Sequence, residues 1–125
     1  MTISYRVAPT FSISRMIKYN QANLKTGVLL ATLPANFNIL NISLITHWPW
    51  NNGALFYSGF TGPGYTEWIF GEDITVAAAK FPTYFANTEF PQGTTRDVYV
   101  LIDDNGTAPT QGWTMFSLLY ELGID

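Results

Sequence analysis

His47 is the only histidine, and the chain has no cysteine. A zinc site needs several such ligands, so a strand-end side chain beside Trp48 is the simpler reading of His47. No thiolate nucleophile and no disulfide framework is possible. The acids Glu72/Asp73 and Asp103/Asp104 are adjacent in sequence. Two-carboxylate hydrolysis needs acids on separate elements facing across a cleft. Glu67 with Asp103 or Glu121 would meet that condition, but nothing in the sequence selects them. Asp103-Asp104-Asn105-Gly106 opens like a calcium loop, yet Thr107, Ala108 and Pro109 stand where the ligands must continue. It reads as a turn, with both acids facing water. Asn41-Ile42-Ser43 and Asn105-Gly106-Thr107 have the glycosylation spacing, which carries meaning only on a secretory route. No G-x-S-x-G elbow, P-loop or dinucleotide fingerprint is present. The chain therefore reads as a non-enzyme with no cofactor.

Aromatic residues form the other chemically capable set: Trp48, Trp50, Tyr57, Phe60, Tyr65, Trp68 and Phe70 fall in one third of the chain. Rings fill cores, anchor protein interfaces, or stack on sugar faces. Three quantities favour an interface for part of them. Apolar residues make up 47% and aromatic ones 16%, while charged residues reach only 12%, about half the usual share. So few solvating groups imply that another chain covers part of the surface. The charge is also split: all nine acids follow residue 66, whereas Arg6, Arg15, Lys18 and Lys25 precede it. A basic segment of this kind suits an acidic surface on the same chain, a neighbouring copy or another protein. Four scattered cations are too sparse for nucleic acid, and the longest apolar runs are too short to cross a membrane. The first twenty residues lack the order of a signal peptide, which implies synthesis in the cytoplasm.

The elements that would hold these residues are strands. Residues 1–26 read as an N-terminal arm with short β pieces, or equally as an edge strand of the domain's own sheet. Met16 to Leu24 offers at most a weak helical turn. Residues 27–125 read as one β domain. Val28 to Thr32 is a short strand. Leu40, Ile42 and Leu44 alternate with Asn41 and Ser43. Asn52-Gly53 then supplies the positive-φ pair of a tight turn, and Ala54 to Gly59 returns, which predicts a long hairpin. Residues 59–73 hold four glycines and a proline, the composition of an irregular loop. Ile74 to Lys80 fits a strand or a helical turn, and Tyr84 to Asn87 a short strand before a turn at residues 91–93. Asp97 to Asp103 is apolar on both faces and so central in its sheet. With Trp113 to Leu122, where Phe116, Leu118, Tyr120 and Leu122 share a face, it predicts a second hairpin. Turn signals about every ten residues argue an all-β fold, an antiparallel β-sandwich or jelly-roll-like barrel.

The order Leu33-Pro34-Ala35, Phe37 to Trp48, Trp50-Asn51-Asn52-Gly53, Ala54 to Gly59, Glu72-Asp73-Ile74, Asp97 to Ile102 and Gly112 to Tyr120 resembles a group of small tailed-bacteriophage virion proteins, the capsid decoration (cement) proteins and related head components. The resemblance covers about 90 residues and excludes the arm. It implies a non-enzymatic domain on the capsid surface of the virion, bound between capsomers to the major capsid protein and to copies of itself, often as a trimer. On that expectation Phe11, Ile13, Arg15 and Lys18 of the arm dock on a neighbour or the shell. Trp48, Trp50, Tyr65 and Trp68 are the candidate aromatic anchors. The alternative is a tail or fibre module that stacks a host saccharide on the aromatic loop.

Overall fold

The computed structural model describes residues 10–34, 37–62, 65–80 and 95–122, with side chains throughout except at 38, 60–71, 80 and 122. Eight strands run in chain order: β1 (Thr10–Lys18), β2 (Val28–Leu33), β3 (Phe37–Trp48), β4 (Leu55–Gly62), β5 (Tyr65–Asp73), β6 (Ala79–Lys80), β7 (Arg96–Asp103) and β8 (Trp113–Leu122). They form two antiparallel four-stranded sheets, β1-β8-β3-β6 and β2-β7-β4-β5. Successive strands mostly change sheet, and this order is the double-sheet jelly roll. The all-β expectation holds.

Each inner face follows period-2 alternation. On β7, Arg96, Val98, Val100 and Ile102 are buried while their neighbours are half-exposed or exposed, and β7 lies between β2 and β4 as a central strand should. On β8, Phe116 and Leu118 point inward from between β1 and β3. Phe56 of one sheet and Phe116 of the other stack with centroids 5.9 Å apart, tying the layers at mid-core. Around them pack Ile17, Leu30, Leu33, Ile42, Leu44 and Ile74. The phase of β3 is reset by two bulges, at Leu40 and His47. Leu40 therefore turns outward while Ile42 and Leu44 stay buried.

Neither predicted hairpin exists. Asn52 and Gly53 have the expected positive φ, 60° and 66°. The strands on either side nevertheless join different sheets, so residues 49–54 form an arch across the sandwich. Both ladders of β3 go to β8 and β6, and both ladders of β4 go to β5 and β7. The β7–β8 connection is an arch for the same reason. A tight turn fixes a reversal of direction; the sheet joined afterwards depends on partners distant in sequence. Residues 59–73 correct a third expectation. Residues 59–62 and 65–73 belong to a ladder rather than an irregular loop: Gly59 pairs with Trp68 and Gly62 with Tyr65 where β4 and β5 run antiparallel. Glycine weakens a strand without forbidding it, and here two of the four sit opposite large aromatic residues.

Residues 10–18, inside the stretch assigned to the arm, run as an edge strand of the domain's own sheet, paired to β8 over all nine residues. Ile17 and Leu24 enter the core. Residues 19–26 form turns, with Asn23 at φ 66°, in place of a helical turn. Ile74 to Lys80 resolves into bends followed by the two-residue β6. The candidate strand Tyr84 to Asn87 and the turn at 91–93 lie outside the described residues.

Candidate functional site

Three inter-sheet connections, residues 19–27, 49–54 and 104–112, meet at one end of the sandwich. Asn51 Nδ2 donates to Thr110 Oγ1 at 2.7 Å, and the Thr110 amide returns a bond to Asn51 Oδ1 at 2.9 Å. Asn52 Nδ2 reaches Ala108 O, Asn105 Nδ2 reaches Gly53 O, and Gln111 Nε2 reaches Pro49 O. The asparagines that look like turn residues thus staple one arch to the other. Beneath them Trp50 is 2% exposed, and its indole N–H donates to Thr114 Oγ1 at 2.9 Å. Thr114 in turn bonds Thr46 at 3.0 Å, so these buried hydroxyls are satisfied.

At the same end, Asp104 closes its turn by accepting the Gly106 amide at 2.9 Å and pairs with Lys25 Nζ at 3.1 Å. The expectation that both adjacent acids face water holds for Asp103 and fails for Asp104, whose carboxylate is buried. The pair joins the basic first half of the chain to its acidic second half. Burial pushes the Asp104 pKa up, but the Lys25 ammonium and the Gly106 amide more than offset this and hold it below its ordinary 3.8. A depressed folded-state pKa contributes stability above the unfolded value, and that contribution is lost as pH falls through the folded one. Lys25→Met should lower stability at neutral pH by up to about 1 kcal/mol, because the partner ammonium is mostly solvated. Denaturant titrations should show wild type and variant converging below the ordinary aspartate range. An undiminished gap at the acid end would refute this role for Asp104. The pair borders a cleft of about 430 Å³ also lined by Tyr57, Leu101, Ile102 and Asp103.

The eight candidate contact residues do not form one patch. Lys18 and Trp48 both pair with Trp113 and lie together at this end. Trp48 is 44% exposed and meets Tyr19 edge-on at 5.8 Å. His47 stacks on Trp113 at 4.1 Å. Phe11 stands at the far end of β1, 44% exposed and stacked on Tyr120 at 5.4 Å. Ile13 packs against the core, and Arg15 lies exposed opposite Phe116. Trp50 is interior. Tyr65 and Trp68 lie on β5, at the edge of the other sheet, and their side chains are outside the described set. Sequence reasoning passed over Met16, Ile45 and Leu119, which are exposed apolar groups on β1, β3 and β8. Extending the Phe11–Arg15 alternation through Met16 would have exposed the first of them. Among the described residues, no group of three or more His, Cys, Asp or Glu could hold a metal ion.

No protein-family model matches the chain, and no curated protein does. Its fold is similar to a chain in the acidic stable capsid structure of Helicobacter pylori bacteriophage KHP30. The TM-score is 0.64 at 11% identity, covering 94% of this chain and 92% of that one. At that identity the likeness establishes a shared fold. The high coverage on both sides means that the shared fold spans nearly the whole of each matched chain.

Proposed function

We propose that this protein is a structural component of a bacteriophage head that binds the outside of the shell between capsomers and stabilises it without catalysis. The observation that carries the reading is the end-to-end fold match, at equal size, to a chain of a phage capsid structure. Scarce charge supports it, since a surface with 12% charged residues is suited to being covered. Many copies on one shell, each adding modest buried area, together hold capsomers far more firmly than one contact could. Trp48 with Lys18, Arg15 midway along β1, and Phe11 at the opposite end are the exposed members of the candidate set available for shell contact.

The test is co-sedimentation of the purified chain with phage heads stripped of their small outer proteins. Saturable binding at a fixed ratio is expected, and Trp48→Ala should weaken it about tenfold or more if that ring is an anchor. A chain that ignores heads sinks the reading. Deleting residues 1–20 is a poor probe, because it removes β1 and takes Ile17 from the core. Deleting residues 1–9 leaves every described strand in place.

A further inference from the structure

The outer face of the β1-β8-β3-β6 sheet is almost free of charge. Its rows follow from the register. Ser12, Leu119 and Asn41 form one; Ser14, Ser117 and Ser43 the next; Met16, Met115, Ile45 and Ala79 a third. Met16, Leu119 and Ile45 are 41%, 38% and 37% exposed, so no described residue covers the face. Ser14 and Ser117 bond each other at 3.0 Å, which satisfies one hydroxyl donor of the middle row and lowers the cost of taking that row out of water. The methionines beside it are flexible enough to fit an opposing surface. Charges stand only at the two ends of the described face: Lys18 in the Trp113 row and Glu121 in the Thr10 row.

We propose that this face is an isologous interface on which two copies of the chain stack sheet to sheet. A two-fold axis across the strands, through the serine row, turns one copy end for end over the other. Lys18 of each copy then lies over the Glu121 end of its mate, at both ends of the contact, and the uncharged middle meets itself without repulsion. The charge layout thus selects a second copy as the occupant. Four strands at about 4.8 Å and nine residues at about 3.4 Å give at most roughly 600 Å² per copy, the lower limit for a specific interface. The pair therefore forms and dissociates with concentration. Its symmetry is two-fold, where the resemblance to decoration proteins implies three-fold, and it does not depend on whether the chain binds a shell.

Light-scattering mass across a dilution series tests this on the full chain. The mass should move from 14.0 kDa toward twice that value as concentration rises. Ile45→Lys should stay monomeric with an unchanged β circular-dichroism spectrum, and Met16→Lys, on another strand, repeats the test if Ile45→Lys disturbs folding. Lys18→Glu should weaken pairing roughly tenfold, and adding Glu121→Lys should restore it. A wild-type chain that stays monomeric, or a mass of three copies, overturns the proposal. So does a pair that survives both lysine substitutions, or a double charge reversal no tighter than Lys18→Glu alone.

Discussion

Gly112→Ala is expected to destabilise the protein by about 3 kcal/mol, through two separable costs. Gly112 has φ +127°, a conformation that strains any residue with a Cβ. A methyl there would also fall 2.6 and 2.7 Å from Cδ2 and Cδ1 of Trp50 and closer still to Cγ. The indole cannot retreat, because its N–H is bound to Thr114 and the ring is buried among the arches. The glycine carbonyl also accepts the Tyr19 amide at 3.1 Å, which holds the start of the 19–27 connection. Gly106→Ala is the control. Its φ is +90°, but a methyl there meets nothing within 4 Å, so only the backbone cost of about 1–2 kcal/mol remains. Chemical denaturation of both variants separates the terms. Equal losses would show that the Trp50 contact contributes nothing.

What the sequence made legible was local. Alternation on residues 97–103 and 113–122 located two inner faces and the central position of β7, because a period of two is a property of a strand alone. Asn52-Gly53 and Asn105-Gly106 marked the turns correctly, and all four residues have positive φ. The partners of those strands were not legible. A hairpin and an arch share the same letters, and the choice was made by β8, which slots between β1 and β3 from the other end of the chain. Residues 59–73 failed for a related reason. Glycine lowers strand propensity, but β4 is held by ladders to both β7 and β5, and that tertiary pairing overrides it.

The same distinction separates the readable from the unreadable part of the candidate surface. Trp48 and Trp50 stand two residues apart and look equivalent as letters. A bulge at His47 and the arch after Pro49 send one to the surface and the other to the core. Composition implied that some apolar side chains would stay outside the core, and Met16, Ile45 and Leu119 do. It could not show that the uncharged positions of three strands align in rows, because those rows exist only once the register of β1, β8 and β3 is set.

Phe116→Ala is expected to cost about 3–5 kcal/mol, enough to threaten folding of a domain this size. Phe116 is fully buried on β8, and its ring stacks on Phe56 from the opposite sheet. Truncation loses the transfer energy of the ring and leaves a void that two hydrogen-bonded sheets cannot close without sliding their ladders. Phe56→Ala should cost a similar amount. In a double-mutant cycle the pair should couple by about 0.5–1.5 kcal/mol, since the second truncation finds the stack already gone. Purely additive losses would mean that the rings act as separate fillers. Phe116→Leu keeps most of the volume and should cost about 1.5 kcal/mol or less. That variant also divides stability from assembly. Its outer faces, Trp48 and the serine row are untouched, so the head binding and the pairing proposed above should both match those of wild type while the variant unfolds at lower denaturant. Loss of binding by a folded Phe116→Leu chain would mean that shell attachment depends on core packing as well as on the surface groups.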